Sequence, residues 1–144
     1  MFMGTYNNSI DAKNRMIVPA KLRSQLKGDK CVITVGLDSC LCIYSMEDWE
    51  RLVQKFMGIP EADPEARASI RAVFGQAQEC DLDSQGRIVI PEQLKAHAGI
   101  KKELVTIGVM TKIEIWSKEV LNSPENNGAI DAKAGAEALL RYGF

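Results

Sequence analysis

The chain has 144 residues, of which 46% are hydrophobic and 26% charged, and its formal net charge is −1 with an isoelectric point near 5.9. This composition is typical of one ordinary globular domain and excludes a disordered or fibrous chain. No apolar run approaches the roughly 20 residues that span a bilayer, and the first residues lack the basic and apolar regions of a secretory signal peptide, so we expect a cytoplasmic protein without membrane contact.

The residues that usually carry metal or catalytic chemistry are sparse. The four cysteines form no CxxC pair and His97 is the single histidine, so the spacings of a zinc site are missing and we expect neither a metal nor a cofactor. We expect reduced, mostly buried thiols, and we place His97 on a helix surface. The sequence has no Gly-rich phosphate loop and no nucleophile that could be paired with His97, and these gaps argue against an enzyme.

The first elements in chain order are two short strands around the turn "DAKNR" at residues 11–15. The apolar triplet Met16 to Val18 predicts the second strand, and Pro19 suits the first turn of a helix in "PAKLRSQL". The strands "CVITVG" and "CLCIYS" follow, rich in the β-branched and aromatic residues that fit a pleated sheet. The first unit therefore has the predicted order β-β-α-β-β.

A helical insert is predicted next. Ser45 and Asp48 have the spacing of a capping box ahead of "MEDWERLVQKFM", and Asp63 precedes the proline that begins "PEARASIRAVFGQA". We expect the insert to pack outside the sheet. Trp49 in the insert and Trp116 on a later strand are interpreted as core or subunit-contact aromatics rather than platforms for nucleic-acid bases.

The second part of the chain repeats the first. A shift of 72 residues aligns positions 10–49 with 82–121 without a gap, and ten positions carry the same residue. "DSQGR" at residues 83–87 is the second turn, followed by the helix "PEQLKAHA" and the strands "LVTIGV" and "KIEIWS". The matching pairs include Asp11/Asp83, Arg15/Arg87 and Thr34/Thr106. Such a period indicates one supersecondary unit used twice around a shared core with pseudo-two-fold symmetry.

These patterns divide the chain into four segments. We expect a first repeat at residues 1–49, a helical insert at 50–78, a second repeat at 79–121 and a C-terminal tail at 122–144. The tail begins with the turn-like "NSPENNG", and its "AIDAKAGAEALLRY" forms either an amphipathic helix or a mobile end.

Charge is distributed unevenly along the chain. Residues 1–30 carry six basic and two acidic residues, a net +4, so the remainder sums to −5. Basic residues surround Arg15, whereas Arg87 has only Lys95 nearby among acidic neighbours. This split indicates either a basic face or an ordinary solvated surface, and the acidic isoelectric point argues weakly against nucleic-acid binding.

Each turn combines an aspartate with an arginine four residues later. An arginine on a hairpin offers a planar fork of donors to phosphate or to guanine O6 and N7, a nearby aspartate can hold the fork, and a β-ribbon fits the major groove. The predicted DNA-binding residues are Arg15, Arg87, Lys13, Lys21 and Arg23, and the predicted arginine-orienting residues are Asp11 and Asp83. The alternative is a surface ion pair that only pins the turn, worth under about 1 kcal/mol.

The segments "MFMG", "DAKNRMIVPAKLR", "YSMEDWE" and "DSQGRIVIPEQLKAHAGI" together resemble the bacterial MraZ family, which contains two tandem SpoVT/AbrB-type motifs. The resemblance covers about residues 1–121. It implies an α+β, mainly β fold in which two ββαββ repeats form a pseudo-two-fold, swapped-hairpin, AbrB-like β-barrel. It also implies a ring-shaped, octamer-like homo-oligomer that is nucleoid-associated and controls the division and cell-wall gene cluster through tandem promoter repeats.

Two hypotheses of different classes follow. In the first, the protein is a sequence-specific, DNA-binding transcriptional regulator that displays its arginine turns around an oligomer, so that weak single contacts add on double-stranded promoter DNA. In the second, it is a β-barrel protein-interaction module, antitoxin-like or an adaptor, that does not bind DNA. The acidic isoelectric point keeps the second hypothesis open.

Overall fold

The computed structural model describes residues 1–126 and 129–143, and eight strands and six α-helices lie within them. The strands are β1 Phe2–Ser9, β2 Arg15–Ile17, β3 Lys30–Val35, β4 Leu41–Ser45, β5 Gln78–Asp81, β6 Arg87–Val89, β7 Glu103–Met110 and β8 Lys112–Ser117. The helices are α1 Ala20–Arg23, α2 Met46–Met57, α3 Pro64–Gly75, α4 Glu92–His97, α5 Lys118–Leu121 and α6 Ala136–Arg141. The predicted β-β-α-β-β order is present in both halves, and the fold is mainly β in an α+β class.

Six strands form one antiparallel sheet in the order β1-β7-β8-β4-β3-β5, while β2 and β6 form a separate two-stranded ribbon. The expected closed barrel is not found among the described residues. β1 and β5 remain at opposite edges of the sheet, because β2 and β6 are three residues long and pair with each other instead of joining those edges.

Both ladders are centred on the pseudo-two-fold axis. In the ribbon Met16 pairs with Ile88, and in the sheet Cys42 pairs with Glu114. Each pair consists of two residues that are 72 positions apart, the period of the sequence repeat. Equivalent positions of the two halves therefore face each other at both places, and the two repeats build one structure.

The gap-free alignment of the repeats is wrong for β7. Cys31 of β3 pairs with Ser45, whereas in the second half Leu104 of β7 pairs with Ser117. Ser45 and Ser117 are 72 positions apart, but Cys31 and Leu104 are 73 apart. The strand β7 is thus displaced by one residue relative to the alignment.

This displacement places two aligned threonines on opposite faces of the sheet, because neighbouring residues of a strand point to opposite sides. The hydroxyl of Thr34 donates a hydrogen bond to the carbonyl of Val73 in the insert. The hydroxyl of Thr106 donates at 3.0 Å to Oδ1 of Asn8 on β1. The two identical residues therefore have different structural roles.

The main core lies between one face of the sheet and a layer made of the ribbon, α1 and α4. Its largest fully buried side chains are Met16, Val18, Leu22, Ile33, Leu41, Ile43, Ile88, Ile90, Leu94, Leu104, Ile113 and Ile115. Burial of each such side chain contributes roughly 1.5–3 kcal/mol. Because the ribbon provides part of this core, its position on the sheet is set by packing.

The helical insert covers part of the opposite face of the sheet. The Ser45 hydroxyl accepts a hydrogen bond from the N–H of Asp48 at 3.1 Å and caps α2, as the sequence predicts. Trp49 of α2 lies 5.6 Å from Tyr44 of β4 and 4.9 Å from Phe74 of α3, measured between ring centroids. The insert therefore packs on the outside of the sheet, and Trp49 has the predicted packing role.

The end of the chain adds little burial. α5 covers Trp116, which is 2% exposed, as predicted for a core aromatic. In the tail, the helix Ala136–Arg141 has no buried residue, and Asn127, Gly128 and Phe144 of the predicted tail segment lie outside the described residues. No helix in the described part of the chain is long and apolar enough to cross a membrane.

Candidate nucleic-acid interface

The first turn is held together by one carboxylate. Oδ1 of Asp11 accepts hydrogen bonds from the backbone N–H groups of Lys13 at 2.9 Å and Arg15 at 2.8 Å. Its other oxygen, Oδ2, accepts from Nε of the Arg15 side chain at 2.8 Å. The aspartate thus fixes the backbone of the turn and the direction of the guanidinium with the same group.

The second turn has the same geometry. Asp83 accepts from the backbone N–H groups of Gln85 and Arg87, both at 2.9 Å, and from Nε of Arg87 at 2.8 Å. Within the described residues, Nη1 and Nη2 of neither Arg15 nor Arg87 donate to a protein group. Two planar donor pairs are therefore available for a ligand, and planar donor pairs suit guanine edges and phosphate oxygens.

The fourth residue of each turn has a left-handed backbone conformation, but it is a different residue with different contacts in the two turns. Gly86 has φ +74°, and its missing side chain makes room for the guanidinium of Arg23, because a Cβ there would lie 2.1 Å from Nη1. Asn14 has φ +60° and instead uses its side chain, donating to Glu92 at 2.8 Å and accepting from Lys95 at 3.1 Å. Each of these arrangements ties a turn to the other repeat.

Backbone hydrogen bonds also connect the two repeats at the turns. The N–H of Ile90 donates to the carbonyl of Asn14 at 2.7 Å, and the N–H of Val18 donates to the carbonyl of Gly86 at 3.0 Å. Together with the β2–β6 ladder, they fix both turns on one ribbon. The two arginines therefore belong to a single preformed surface.

The arginines and two apolar side chains share the outer face of the ribbon. Arg15 pairs across the ladder with Val89, and Arg87 pairs with Ile17, while the intervening pair points into the core. Ile17 and Val89 are each 54% exposed. Sequence reasoning missed these two residues, although the period-two alternation of each apolar triplet predicts that its middle member faces away from its neighbours.

Electrostatics keeps the turn carboxylates charged. The pKa of Asp11 is held below its ordinary value, first by the backbone N–H of Arg15 and further by the Arg15 guanidinium and the N–H of Lys13. The pKa of Asp83 is lowered by the corresponding groups of Arg87 and Gln85. At neutral pH both carboxylates are therefore ionised acceptors.

The remaining predicted site residues lie in different surroundings. Lys13 is exposed within the first turn, and Lys21 is exposed on α1. Arg23 is half-buried and donates from Nη1 to the carbonyl of Val18 at 2.9 Å, beside Gly86. The structure thus brings Lys13 and Arg15 into one turn, and it places the Arg23 guanidinium against Gly86 of the second turn.

The other chemically active residue types do not join the ribbon surface. His97 is exposed on α4, as predicted. Cys31, Cys40 and Cys42 are buried and Cys80 is half-buried, which confirms the expected burial of most thiols. None of these five side chains contributes to the face that carries the two arginines.

Comparison with known proteins gives consistent relatives. The sequence model of the family described as "MraZ protein, putative antitoxin-like" matches twice, over residues 1–72 and 73–137. The chain is 48% identical over 144 residues to a protein of Clostridium beijerinckii named "Transcriptional regulator MraZ", covering 100% of both chains. A protein of the same name in Alkaliphilus metalliredigens is 50% identical over 119 residues, which cover 83% of this chain and 82% of the relative. Another in Thermoanaerobacter pseudethanolicus is 47% identical over 139 residues, which cover 96% of each chain.

Proposed function

Because the chain belongs to the MraZ family, whose members are named transcriptional regulators, we propose that it regulates transcription by binding double-stranded promoter DNA through its two arginine turns. The observation that carries the proposal is the duplicated clamp. Arg15 and Arg87 each have Nε bound by an aspartate, and both stand on the same face of one ribbon with their terminal donors available.

The ribbon enters the major groove, with its outer face toward the bases. A two-stranded ribbon is narrow enough for that groove, and a guanidinium held at Nε can present Nη1 and Nη2 to guanine O6 and N7. Ile17 and Val89 lie beside the arginines and supply apolar contact to thymine methyl groups. Lys13, Lys21 and Arg23 contribute phosphate contacts, and Nη1 of Arg23 also donates to the carbonyl of Val18 next to the second turn.

The proposed target and assembly follow from the weakness of one subunit. A chain of net charge −1 with two arginine turns gains little from phosphate neutralisation alone. We propose a ring-shaped, octamer-like homo-oligomer that is associated with the nucleoid. It engages tandem repeats in the promoter of the division and cell-wall gene cluster. Once one subunit is bound, the others bind more readily because the ring raises their effective concentration at the remaining repeats. A light-scattering measurement that found a stable monomer bound tightly to its operator would contradict this assembly.

The segment boundaries also enter the proposal. We propose that residues 1–49 and 79–121 form the two DNA-contacting repeats, that residues 50–78 serve the assembly as a helical insert, and that residues 122–144 take no part in DNA contact. In this division the two arginine turns belong to different repeats but act on one ribbon.

A protein-interaction module without DNA binding is the second candidate. Two observations favour it: the family description contains the words "antitoxin-like", and Ile17 and Val89 expose apolar surface on the ribbon. In that case a partner protein would cover the ribbon face and the arginines would pair with its carboxylates. DNA retention separates the two candidates.

The test measures fluorescence anisotropy of labelled promoter DNA at several salt concentrations. Wild type should bind with an affinity that falls steeply with salt, because bound phosphates release counterions. The double variant Arg15→Ala/Arg87→Ala should lose specific binding, whereas Arg51→Ala, which removes the same kind of charge from the exposed surface of α2, should retain it. Equal affinity in the double variant and wild type would reject the DNA-binding role of the turns.

A further inference from the structure

Two thiols and a carboxylate meet on the sheet face that also carries the insert. Sγ of Cys40, Sγ of Cys42 and a carboxylate oxygen of Glu114 all lie within 4.8 Å of one another. The register explains part of the meeting, because Cys42 pairs directly with Glu114 across β4 and β8. Cys40 precedes β4 and packs in the cluster that contains Trp116. The spacing of these residues in the sequence does not predict the cluster, because Glu114 is 72 residues from Cys42.

The two sulfurs pack closely against a glycine, Gly36, in the β3–β4 connection. A Cβ at Gly36 would lie 2.7 Å from Sγ of Cys40, so one of the two would have to shift, and 3.1 Å from Sγ of Cys42, which is a tight contact. The backbone of Gly36 does not have the left-handed conformation that would itself favour glycine. A side chain at this position would therefore move the thiols, although the backbone itself does not require glycine.

The carboxylate is held in place by a second layer of contacts. Nε1 of Trp116, a residue that is 2% exposed, donates to Oε1 of Glu114 at 3.0 Å. Metal sites in proteins usually have such outer partners, which orient the ligating side chains.

We propose that Cys40, Cys42 and Glu114 bind one Zn²⁺ ion. Two thiolates and one carboxylate are ligand types that Zn²⁺ accepts at about 2.3 Å and about 2.0–2.2 Å, and tetrahedral geometry then separates the ligand atoms by about 3.5–3.8 Å. In the structure the three ligand atoms lie within 4.8 Å of one another, which is close to these separations. Cu⁺ prefers sulfur ligands alone, and Ca²⁺ and Mg²⁺ require oxygen ligands, so the mixed set favours Zn²⁺.

Zinc binding at this site would release protons and would connect the two repeats. The two thiols each release one proton to solvent as they become thiolates, Glu114 binds as the carboxylate, and water occupies the fourth position. The ion would join β4 of the first repeat to β8 of the second at the pseudo-two-fold axis. Bound zinc should therefore raise the unfolding temperature of the whole chain. This site is independent of the proposed DNA-binding function.

The test uses the full chain, reduced and freed of metal by a chelator. Titration with Zn²⁺ against a chromophoric chelator should show one saturable equivalent, and Co²⁺ should give thiolate-to-metal charge-transfer absorption. Cys42→Ser and Glu114→Gln should each weaken binding at least about tenfold, and Trp116→Phe, which removes the donor to the carboxylate, should weaken it about tenfold. Gly36→Ala keeps all three ligands but should also weaken binding by filling their space.

The control is the other close pair of thiols. Sγ of Cys31 and Sγ of Cys80 lie 3.0 Å apart on the opposite face of the sheet, so Cys80→Ser should leave metal affinity unchanged. Absence of a saturable equivalent in wild type, full affinity in Glu114→Gln, or loss of binding in Cys80→Ser would each overturn the proposal. Because Glu114 is only half-buried, its variant should fold and decides the matter even if a cysteine variant does not fold.

Discussion

At the scale of single residues, the two aspartates matter for the direction of the arginines more than for stability. The ion pairs Asp11–Arg15 and Asp83–Arg87 are partly exposed, and such pairs contribute little to stability because water and salt screen them. An unrestrained arginine carries about 2 kcal/mol of rotamer entropy, which a ligand contact must offset. A bond at Nε removes part of that freedom before the ligand arrives, and it leaves the terminal donors in a defined plane.

The first prediction concerns Asp11→Asn. The amide oxygen can still accept from the backbone of Lys13 and Arg15, so the turn should keep its fold, but the amide nitrogen cannot accept from Nε of Arg15. We expect weaker discrimination between operator and mutated operator, by up to about 1–3 kcal/mol, in anisotropy measurements. Asp29→Asn is the matched control for charge. Tighter specific binding by Asp11→Asn would show that the carboxylate acts by repelling phosphate.

The second prediction concerns acid. Because the pKa values of Asp11 and Asp83 are lower in the folded chain than in the unfolded chain, their stabilising contribution is complete above the ordinary aspartate pKa of about 3.9 and is lost as the pH falls through the lowered folded values. Urea unfolding at about pH 6 and about pH 3 should therefore show a smaller loss of stability for Asp11→Asn/Asp83→Asn than for wild type. An identical loss in both proteins would contradict the assigned pKa directions.

At the scale of elements, β1 and β7 lie so close together at Gly108 that a side chain there would meet the backbone of β1. A Cβ on Gly108 of β7 would lie 2.4 Å from the backbone nitrogen of Met3 and 2.8 Å from its Cα. Because these neighbours are backbone atoms of the edge strand β1, the clash could be removed only by moving that strand. The second repeat therefore requires glycine at position 108 because of strand packing.

The third prediction follows from this contact. Gly108→Ala should destabilise the chain by about 1–3 kcal/mol, the usual cost of forcing extra atoms into a packed site, as measured by urea unfolding. Gly75→Ala is the matched control, because nothing lies within 4 Å of the added Cβ at the end of α3. That variant should be stabilised by about 0.5–1 kcal/mol through helix propensity. Equal stability of the two variants would remove the steric argument.

Local signals in the sequence were sufficient for the elements and for the two turns, but not for their partners. The Ser45 cap and the DxxxR spacing each involve residues within four positions; the cap is confirmed, and Asp11 contacts Arg15 in the first turn. The pairing of β2 with β6 and the one-residue displacement of β7 depend on packing between distant segments. The displacement cannot be read from the sequence, because Thr34 and Thr106 are the same residue at aligned positions. The family resemblance implies a closed barrel, whereas the sheet stays open because the two short ribbon strands pair with each other.

At the scale of the whole molecule, the two halves offer equivalent turns in unequal fields. Residues 1–30 carry a net +4, whereas residues 73–102 carry four basic and four acidic residues and sum to zero. The difference extends to the clamps, because the Arg15 side chain is 31% exposed and the Arg87 side chain is 23% exposed. Phosphate should therefore be attracted to the first turn more strongly than to the second.

The fourth prediction compares the two arginines directly. Arg15→Ala should cost on the order of 1 to 3 kcal/mol per engaged turn if the guanidinium contacts a base, and the loss should multiply across an oligomer because every bound subunit loses the same contact. Arg87→Ala should cost less, since its turn lacks the positive surroundings. Both variants must remain folded by circular dichroism and oligomeric by gel filtration before gel shifts on the native promoter are compared. Equal or reversed losses would mean that the shared ribbon, which places both arginines on one face, outweighs the difference in local charge.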